Sequence, residues 1–326
     1  MRSSETAVID LMEVRTASPR RKKAKRSALR HRLEYMAFRV AVITLRFLPK
    51  GSAASLGRAL ARVFFWLAGS RRRILFKNLL AAFPEKPATE IAAIASGCVQ
   101  TLGATFLDFL EASALPRQDL LDRAPVTGLE HLAAARARGQ GVLLLMAHFG
   151  GWEIGALAIG LLGETVFGVV RPLDNPLLEA ELGRRRSRFG NHPIAKKDAA
   201  KEVLRAMRAN QSVVMLIDQN VLEQEAVFVP FFGRPAATTP SLALFQLKTG
   251  AAVVPVFTWP IGHGRYETRF EPPIWPEEFD LPGADRAERV RRATARYMQV
   301  TEAAIRKKPT AWLWMHNRWR TRPPTR

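Results

Sequence analysis

The stretch GVLLLMAHFGGWEIGALAIG, residues 141–160, decides the fold of this chain. Residues 141–147 are apolar at every position, and the run is too short for a stable helix. A continuous apolar segment of this length reads as a strand buried on both faces, as in a parallel sheet. His148 then stands at the carboxyl end of a strand, where open α/β sheets build their sites. Gly150-Gly151 permits a tight turn and a close backbone approach. Trp152-Glu153 opens a second apolar segment, long enough for a helix. Strand, turn and helix in that order form the repeating unit of an α/β fold.

Outward from this corner the same alternation recurs. Strands are expected at 141–147, 166–170, 212–217, 227–231 and 252–258, and helices at 129–138, 152–162, 176–189, 198–210, 239–249 and 285–307. Short apolar strands separated by helices predict a central, largely parallel sheet flanked by helices. Upstream, RRRILFKNLLAAF (71–83) is helical up to Pro84, and a long helix follows up to Pro116. Earlier still, LEYMAFRVAVITLRFLP (33–49) and ASLGRALARVFFWLAGSRRR (54–73) are strongly apolar but carry Arg39, Arg46, Arg58 and Arg62. A spanning helix needs about 20 mostly apolar residues, and arginine at mid-bilayer is costly. These segments therefore read as two interfacial or shallowly inserted helices, with Pro49-Lys50-Gly51 as the turn between them. One short tilted span with snorkelling arginines is the alternative. The chain divides into a basic, disordered arm over 1–32, membrane-associated helices over 33–69, and one large α/β domain over 70–326.

Of 326 residues, 48% are hydrophobic, enough for a sizeable core. Lysine and arginine number 50 against 29 aspartates and glutamates, a net charge of +21. Such a field favours anionic partners: nucleic acid, anionic lipid headgroups or an acidic carrier protein. RTASPRRKKAKRSALRHR (15–32) contains no acid. It is either a solvated tail or a juxtamembrane polybasic segment, worth about 1 kcal/mol per basic residue near an anionic leaflet. Basic groups around the apolar helices suit the cytoplasmic face of an inner membrane. The single cysteine, Cys98, excludes a disulfide framework and falls in a helical core pattern. His31, His131, His192 and His263 lack partners at metal-ligand spacing. With neither a P-loop nor a dinucleotide fingerprint, no metal or cofactor is expected.

The chemistry sits at the strand–helix corner. Five residues apart, His148 and Glu153 would fall on different faces of one helix, but across the corner the carboxylate can turn back to the imidazole. A carboxylate accepting one ring N–H leaves the other nitrogen as a general base. The helix N-terminus offers backbone N–H groups to an anion. No serine or cysteine is adjacent, so the attacking hydroxyl would belong to a substrate. The competing reading is a core histidine beside an N-terminal helix glutamate.

The segment HFGGWEIG (148–155), a His-x-x-x-x-Glu pattern, resembles the signature of the bacterial lipid A biosynthesis (late) acyltransferases, a branch of the lysophospholipid acyltransferase superfamily. Further blocks resemble the family's segments in order: RRRILFKNLLAAFPEKPATEI (71–91), VVRPLDNPLLEAELGRRRSRFG (169–190), MLIDQN (215–220), VFVPFFGRPAATTPSLALFQLKTGAAVVPVF (227–257) and IRKKPTAWLWMHNRWRTRP (305–323). Ordered blocks are far more specific than one spacing. The resemblance implies a glycerolipid acyltransferase-like α/β fold. It also implies transfer of a fatty acyl group from an acyl carrier thioester, acyl-acyl carrier protein or acyl-CoA, to a hydroxyl of a lipid A precursor. By matching position, His148 is the implied base and Glu153 its partner.

The same resemblance places other residues at the site, each beside a plainer role. Arg171 pairs with a phosphate of the acceptor lipid or of the carrier's phosphopantetheine, or else forms a strand-end salt bridge. Among Arg184, Arg185, Arg186 and Arg188, alignment with the block's end selects Arg188. Asp218 binds acceptor hydroxyls or caps the following turn. Gly233, Arg234 and Thr238 line the acceptor cleft or form a loop and N-cap. A Phe-Pro-Glu-Gly block, frequent in glycerolipid members, is absent here, which argues against a simple lysophosphatidate acceptor. Trp312, Trp314 and Trp319 interleave with Arg318 and Arg320. Beside interfacial helices they read as a membrane-interface belt rather than a base-stacking surface, so nucleic acid is not expected. His316, in the basic tail, reads as a surface or structural residue rather than a chemical one. The competing functions are acylation of another glycolipid or lysophospholipid, hydrolysis at the same base, and non-catalytic binding of membrane or nucleic acid.

Overall fold

The computed structural model describes residues 28–47, 52–164, 166–170, 173–195 and 199–324. Helices lead the chain: α1 (Ala28–Phe47), α2 (Ser52–Leu67), α3 (Gly69–Ala82), α4 (Ala88–Ala112) and α5 (Arg117–Arg123). A seven-stranded sheet follows, built from β1 (Val126–Thr127), β2 (Val142–Met146), β3 (Val166–Val170), β4 (His192–Ala195), β5 (Ser212–Leu216), β8 (Ala252–Gly262) and β9 (Arg265–Phe270). Its order is β1-β9-β8-β2-β5-β3-β4, and only the β8–β9 pair is antiparallel. The strands β6 (Val227–Phe231) and β7 (Arg234–Thr238) form a separate antiparallel hairpin. The flanking helices are α6 (Leu129–Arg136), α7 (Trp152–Leu161), α8 (Pro176–Arg186), α9 (Ala199–Arg208), α10 (Ser241–Thr249) and α11 (Arg286–Lys307). The expected α/β class with a largely parallel sheet holds.

β2 shows why its sequence is apolar throughout. Leu143, Leu145 and Ala147 enter a core layer with α4, α9, α10 and α11. Val142, Leu144 and Met146 enter the opposite layer, with Leu132 of α6 and Ile159 of α7. Successive side chains point to opposite faces, so burial of both faces removes any polar alternation. Upstream, α2 crosses α4 at a glycine pair: a Cβ on Gly57 or Gly103 would lie 2.2 Å from the other residue's carbonyl oxygen. The contact is backbone on backbone, and it fixes the N-terminal helices to the core.

Several expectations need correction. Residues 28–32, assigned to the basic arm, already belong to α1. The segment 54–73 is not one helix, since α2 ends at Leu67 and α3 begins at Gly69. Residues 227–231 lie outside the main sheet, paired only with β7. The Trp-rich tail is no interface belt: Trp312, Trp314 and Arg318 are 3%, 1% and 0% exposed. The arm up to residue 27 and the turn Pro49-Lys50-Gly51 lie outside the described residues. Among the described residues, α4 alone is long and apolar enough to cross a membrane, and half of that apolar window is buried inside the protein. Cys98 is a buried residue of α4, as expected.

Candidate active site

β2 and β5 are parallel neighbours, with Met146 opposite Leu216. Each strand runs two residues further, to His148 and to Asp218, so the register sets these side by side at the carboxyl edge. His148 Nδ1 lies 2.9 Å from Asp218 Oδ1, and the His148 backbone N–H donates to Asp218 Oδ2 at 2.9 Å. Trp312 Nε1 also donates to Oδ2, at 2.8 Å. Burial opposes ionisation of Asp218, but the adjacent imidazole and these hydrogen bonds outweigh it and hold the carboxyl at about 2. Burial pulls the His148 imidazole down, but Asp218, with a smaller pull from Glu153, holds it above the ordinary histidine value. An ionised Asp218 fixes the His148 proton on Nδ1 and leaves Nε2 as the basic nitrogen. The Gln219 side-chain amide sits 3.1 Å from that Nε2.

The corner between His148 and α7 is stitched from both sides. Gly150 N–H donates to the Ala311 carbonyl (2.7 Å), Gly151 N–H to the Thr258 carbonyl (3.1 Å), and Leu313 N–H to the His148 carbonyl (3.1 Å). Gly150 has φ +55°, and a Cβ there would fall 1.9 Å from the Thr258 carbonyl oxygen. A Cβ on Gly151 would strike the Tyr266 ring at 2.5 Å, and one on Gly155 would meet Thr258 Oγ1 at 1.9 Å. The glycines of HFGGWEIG thus let the corner press against β8. Trp152 packs edge-on to His148, ring centroids 5.4 Å apart. A small cleft opens beside His148, lined by Cys98, Thr101 and Leu102 of α4, by Gly150 and Trp152, and by Ala311, Trp312 and Leu313.

The structure corrects the carboxylate assigned to His148. Glu153 does not orient the imidazole. Arg186 holds both its oxygens, Nη2 donating to Oε1 at 2.5 Å and Nε to Oε2 at 3.0 Å. The pair is mostly buried, at 23% and 20% side-chain exposure, and it ties the first turn of α7 to the last turn of α8. The physical reason is direction: the first turn of α7 points Glu153 toward α8, whereas Asp218 approaches His148 along the neighbouring strand. Asp218 in turn neither caps a turn nor faces outward; it is the orienting partner.

The other expected residues are scattered. The Arg188 guanidinium donates to the Ser113 carbonyl and lies 4.8 Å from the Phe189 ring, so its described partners are structural. Gly233 (φ +69°) and Phe232 (φ +50°) form the two-residue turn of the β6–β7 hairpin, a turn that requires positive φ at both positions. Arg234 stacks on Trp319 at 5.1 Å. Thr238 is buried and accepts a hydrogen bond from the buried Arg318, which also donates to the Ala237 carbonyl at 2.5 Å. Burial lowers the Arg318 guanidinium to about 10. Arg171 lies outside the described residues. His316 is structural: its Nε2 accepts the Asn220 backbone N–H at 2.9 Å, and burial lowers it to about 4. Gln219 and Trp312 were missed as site residues. Both occur within quoted blocks, but only strand adjacency brings them to the imidazole.

The model of the family described as bacterial lipid A biosynthesis acyltransferase matches residues 21–321. The chain is 30% identical over 280 residues to a lipid A biosynthesis lauroyltransferase of Escherichia coli strain K12, covering 85% of this chain and 88% of that protein. It is 29% identical over 275 residues to a lipid A biosynthesis acyltransferase of Haemophilus influenzae strain Rd, covering 82% and 85%. It is also 26% identical over 248 residues to a phosphatidylinositol mannoside acyltransferase of Mycobacterium tuberculosis strain H37Rv, covering 74% and 78%.

Proposed function

The chain belongs to the bacterial lipid A biosynthesis acyltransferase family and is an acyltransferase, and on that premise we propose that it moves a fatty acyl chain from an acyl carrier thioester to a hydroxyl of a lipid A precursor, with His148 as general base. The observation that carries this reading is the His148–Asp218 pair, a partly exposed, tautomer-fixed imidazole beside a cleft, with no serine or cysteine bonded to it among the described residues. The acceptor hydroxyl takes its place at Nε2 and loses its proton to that nitrogen as its oxygen attacks the thioester carbonyl. The tetrahedral intermediate then expels the thiolate, which regains the proton from Nε2. A thioester is reactive enough that no covalent enzyme intermediate is needed. General-base catalysis contributes about 10²–10⁴-fold, and positioning and oxyanion stabilisation supply the rest. Glu153 contributes through its field on His148 and through the corner that it holds with Arg186. The phosphate-binding role of Arg171 rests on its sequence block alone.

The donor is acyl-acyl carrier protein, whose acidity suits the +21 net charge, with acyl-CoA as the alternative. The site of action is the cytoplasmic face of the inner membrane. In support, α1 exposes Leu29, Leu33, Met36, Val40 and Phe47, and α2 exposes Leu60, Val63, Phe64, Trp66 and Leu67. Apolar stripes flanked by arginines lie in the headgroup boundary. A second acceptor class, another glycolipid, follows from the resemblance to the phosphatidylinositol mannoside enzyme. The test offers purified protein a lipid A precursor or a mannosylated glycolipid, each with dodecanoyl carrier protein or dodecanoyl-CoA. Products are weighed by mass spectrometry. A single added acyl chain on the lipid A precursor, lost in His148→Ala, is expected. An active His148→Ala protein removes the general base.

A further inference from the structure

We propose that Gln219 is the side-chain donor that receives the oxyanion of the reaction, and that its resting place on His148 Nε2 marks the seat of the acceptor hydroxyl. The inference rests on the general-base reading of His148. One dipeptide at the end of β5 brackets the imidazole: Asp218 meets Nδ1 at 2.9 Å, and Gln219 Nε2 meets His148 Nε2 at 3.1 Å. With the proton on Nδ1, the second nitrogen only accepts, so the Gln219 amide stands there as donor. Any hydroxyl that hands its proton to His148 must take that position, and Gln219 must yield it.

An acyl transfer site also needs donors for the carbonyl oxygen as it becomes an oxyanion. In many strand–helix corners these are turn amides, but here the four amides from His148 to Gly151 are committed. The N–H groups of His148, Phe149, Gly150 and Gly151 bond to Asp218, Ala147, Ala311 and Thr258. The residues lining the cleft bring little polar chemistry beyond Thr101 and the ring of His148 itself. Gln219 is the amide donor already within hydrogen-bond reach of the reacting proton's destination. The step balances without a further reactant. The acceptor O–H bond breaks toward Nε2, the new C–O bond forms, and the carbonyl π pair moves onto oxygen, where the Gln219 N–H₂ receives it. As the C=O bond re-forms, the C–S bond breaks and Nε2 returns the proton to sulfur. Gln219 then falls back onto Nε2.

The test uses the full-length protein, dodecanoyl carrier protein as donor, and a lipid A precursor with free hydroxyls on its acyl chains as acceptor. Gln219→Ala is expected to lower kcat by about 10²–10³-fold, the effect of removing one oxyanion donor. KM for both substrates should stay within about 3-fold, and the melting temperature should be unchanged. Gln219→Glu places a second carboxylate on the imidazole and stabilises its protonated form. It should move the rising limb of kcat/KM against pH upward by about one pH unit or more. A kcat within about 3-fold of wild type in Gln219→Ala overturns the proposal. So does a loss that follows a fall in melting temperature while the Gln219→Glu limb stays in place. His148→Ala, measured alongside, separates the two claims. If it remains active, the general-base reading itself is wrong; if it is dead beside a fully active Gln219→Ala, only the role of Gln219 is removed.

Discussion

Asp218→Asn tests the site most directly, because the hydrogen bonds around Asp218 dictate how the amide must sit. Asp218 Oδ2 accepts from two donors, the His148 backbone N–H at 2.9 Å and Trp312 Nε1 at 2.8 Å, while Oδ1 faces His148 Nδ1 at 2.9 Å. Asparagine offers one oxygen and one NH₂. If the NH₂ faced the two fixed N–H donors, three donors would meet with no acceptor, in a fully buried place. The oxygen therefore takes the Oδ2 position and the NH₂ faces Nδ1. Nδ1 must then accept, the ring proton moves to Nε2, and the nitrogen that should take the acceptor's proton is already protonated.

The same logic in a serine-protease triad costs about 10⁴ in kcat, and general-base catalysis as a whole is worth about 10²–10⁴. We expect kcat/KM to fall by about 10³–10⁴, equal to about 4–5.5 kcal/mol of transition-state stabilisation. Stability should change far less, by about 2 kcal/mol at most. Weaker hydrogen bonds are offset by relief of a buried charge whose ionisation burial opposes. Initial rates of dodecanoyl transfer, with the melting temperature followed in parallel, measure both. A folded Asp218→Asn protein retaining more than about a tenth of wild-type kcat/KM would refute the fixed-tautomer mechanism.

Further outcomes follow from neighbouring contacts. Asp218 is ordinarily near 3.8 and is held at about 2 in the fold. Its ionised form thus contributes about 2 kcal/mol, fully present above about pH 4 and lost as pH falls toward 2. Acid unfolding followed by circular dichroism should show this loss in wild type and not in Asp218→Asn. His148 is raised, so kcat/KM should climb with pH through a value above that of an ordinary histidine; a midpoint below the ordinary value counts against the ion pair. Gly150→Ala forces a Cβ to 1.9 Å from the Thr258 oxygen at φ +55° and should destabilise by at least about 2 kcal/mol in urea titration; an unaltered midpoint would disprove the packed corner. Glu153→Ala and Arg186→Ala, with their double variant, should show a coupling of about 1–2 kcal/mol in stability. Complete loss of transfer in Glu153→Ala at unchanged stability, more than its small field on His148 accounts for, would instead put Glu153 on the substrate.

How much of this was legible in the sequence depends on whether a feature is local. The parallel core was readable because β2, β5 and the first seven residues of β8 are almost wholly buried, which keeps charge out of those runs, and β3 is apolar in sequence. β9, RYETRF, was passed over although its burial alternates from residue to residue, the ordinary mark of a strand with one wet face. β1 and β4 span two and four residues, too short to carry a period. The Trp-rich tail misled because tryptophan beside arginine looks the same at a membrane surface and in a core. Trp312 bonds to Asp218, and Arg318 bonds to Thr238 and Ala237. Those partners lie 80 residues or more upstream, beyond any local pattern.

The carboxylate at His148 shows the same limit at the site itself. A spacing of five residues invites the nearest acid in sequence, and Glu153 is that acid. What decides the partner, however, is which strand lies beside β2. In chain order the next strand is β3, yet in the sheet β5 sits between β2 and β3. That crossover brings the end of β5, with Asp218 and Gln219, against the end of β2. Nothing within residues 141–160 encodes it. The helix α7 then needs Glu153 for a different task. Its first turn must be held against α8 so that the Gly150-Gly151 corner keeps its contacts with β8 and with the tail. The His-x-x-x-x-Glu pattern therefore joins two jobs in one short motif: an imidazole oriented from the neighbouring strand, and a carboxylate that clamps the turn presenting it. Changing either end should lower activity, but for reasons that kcat and melting temperature will tell apart.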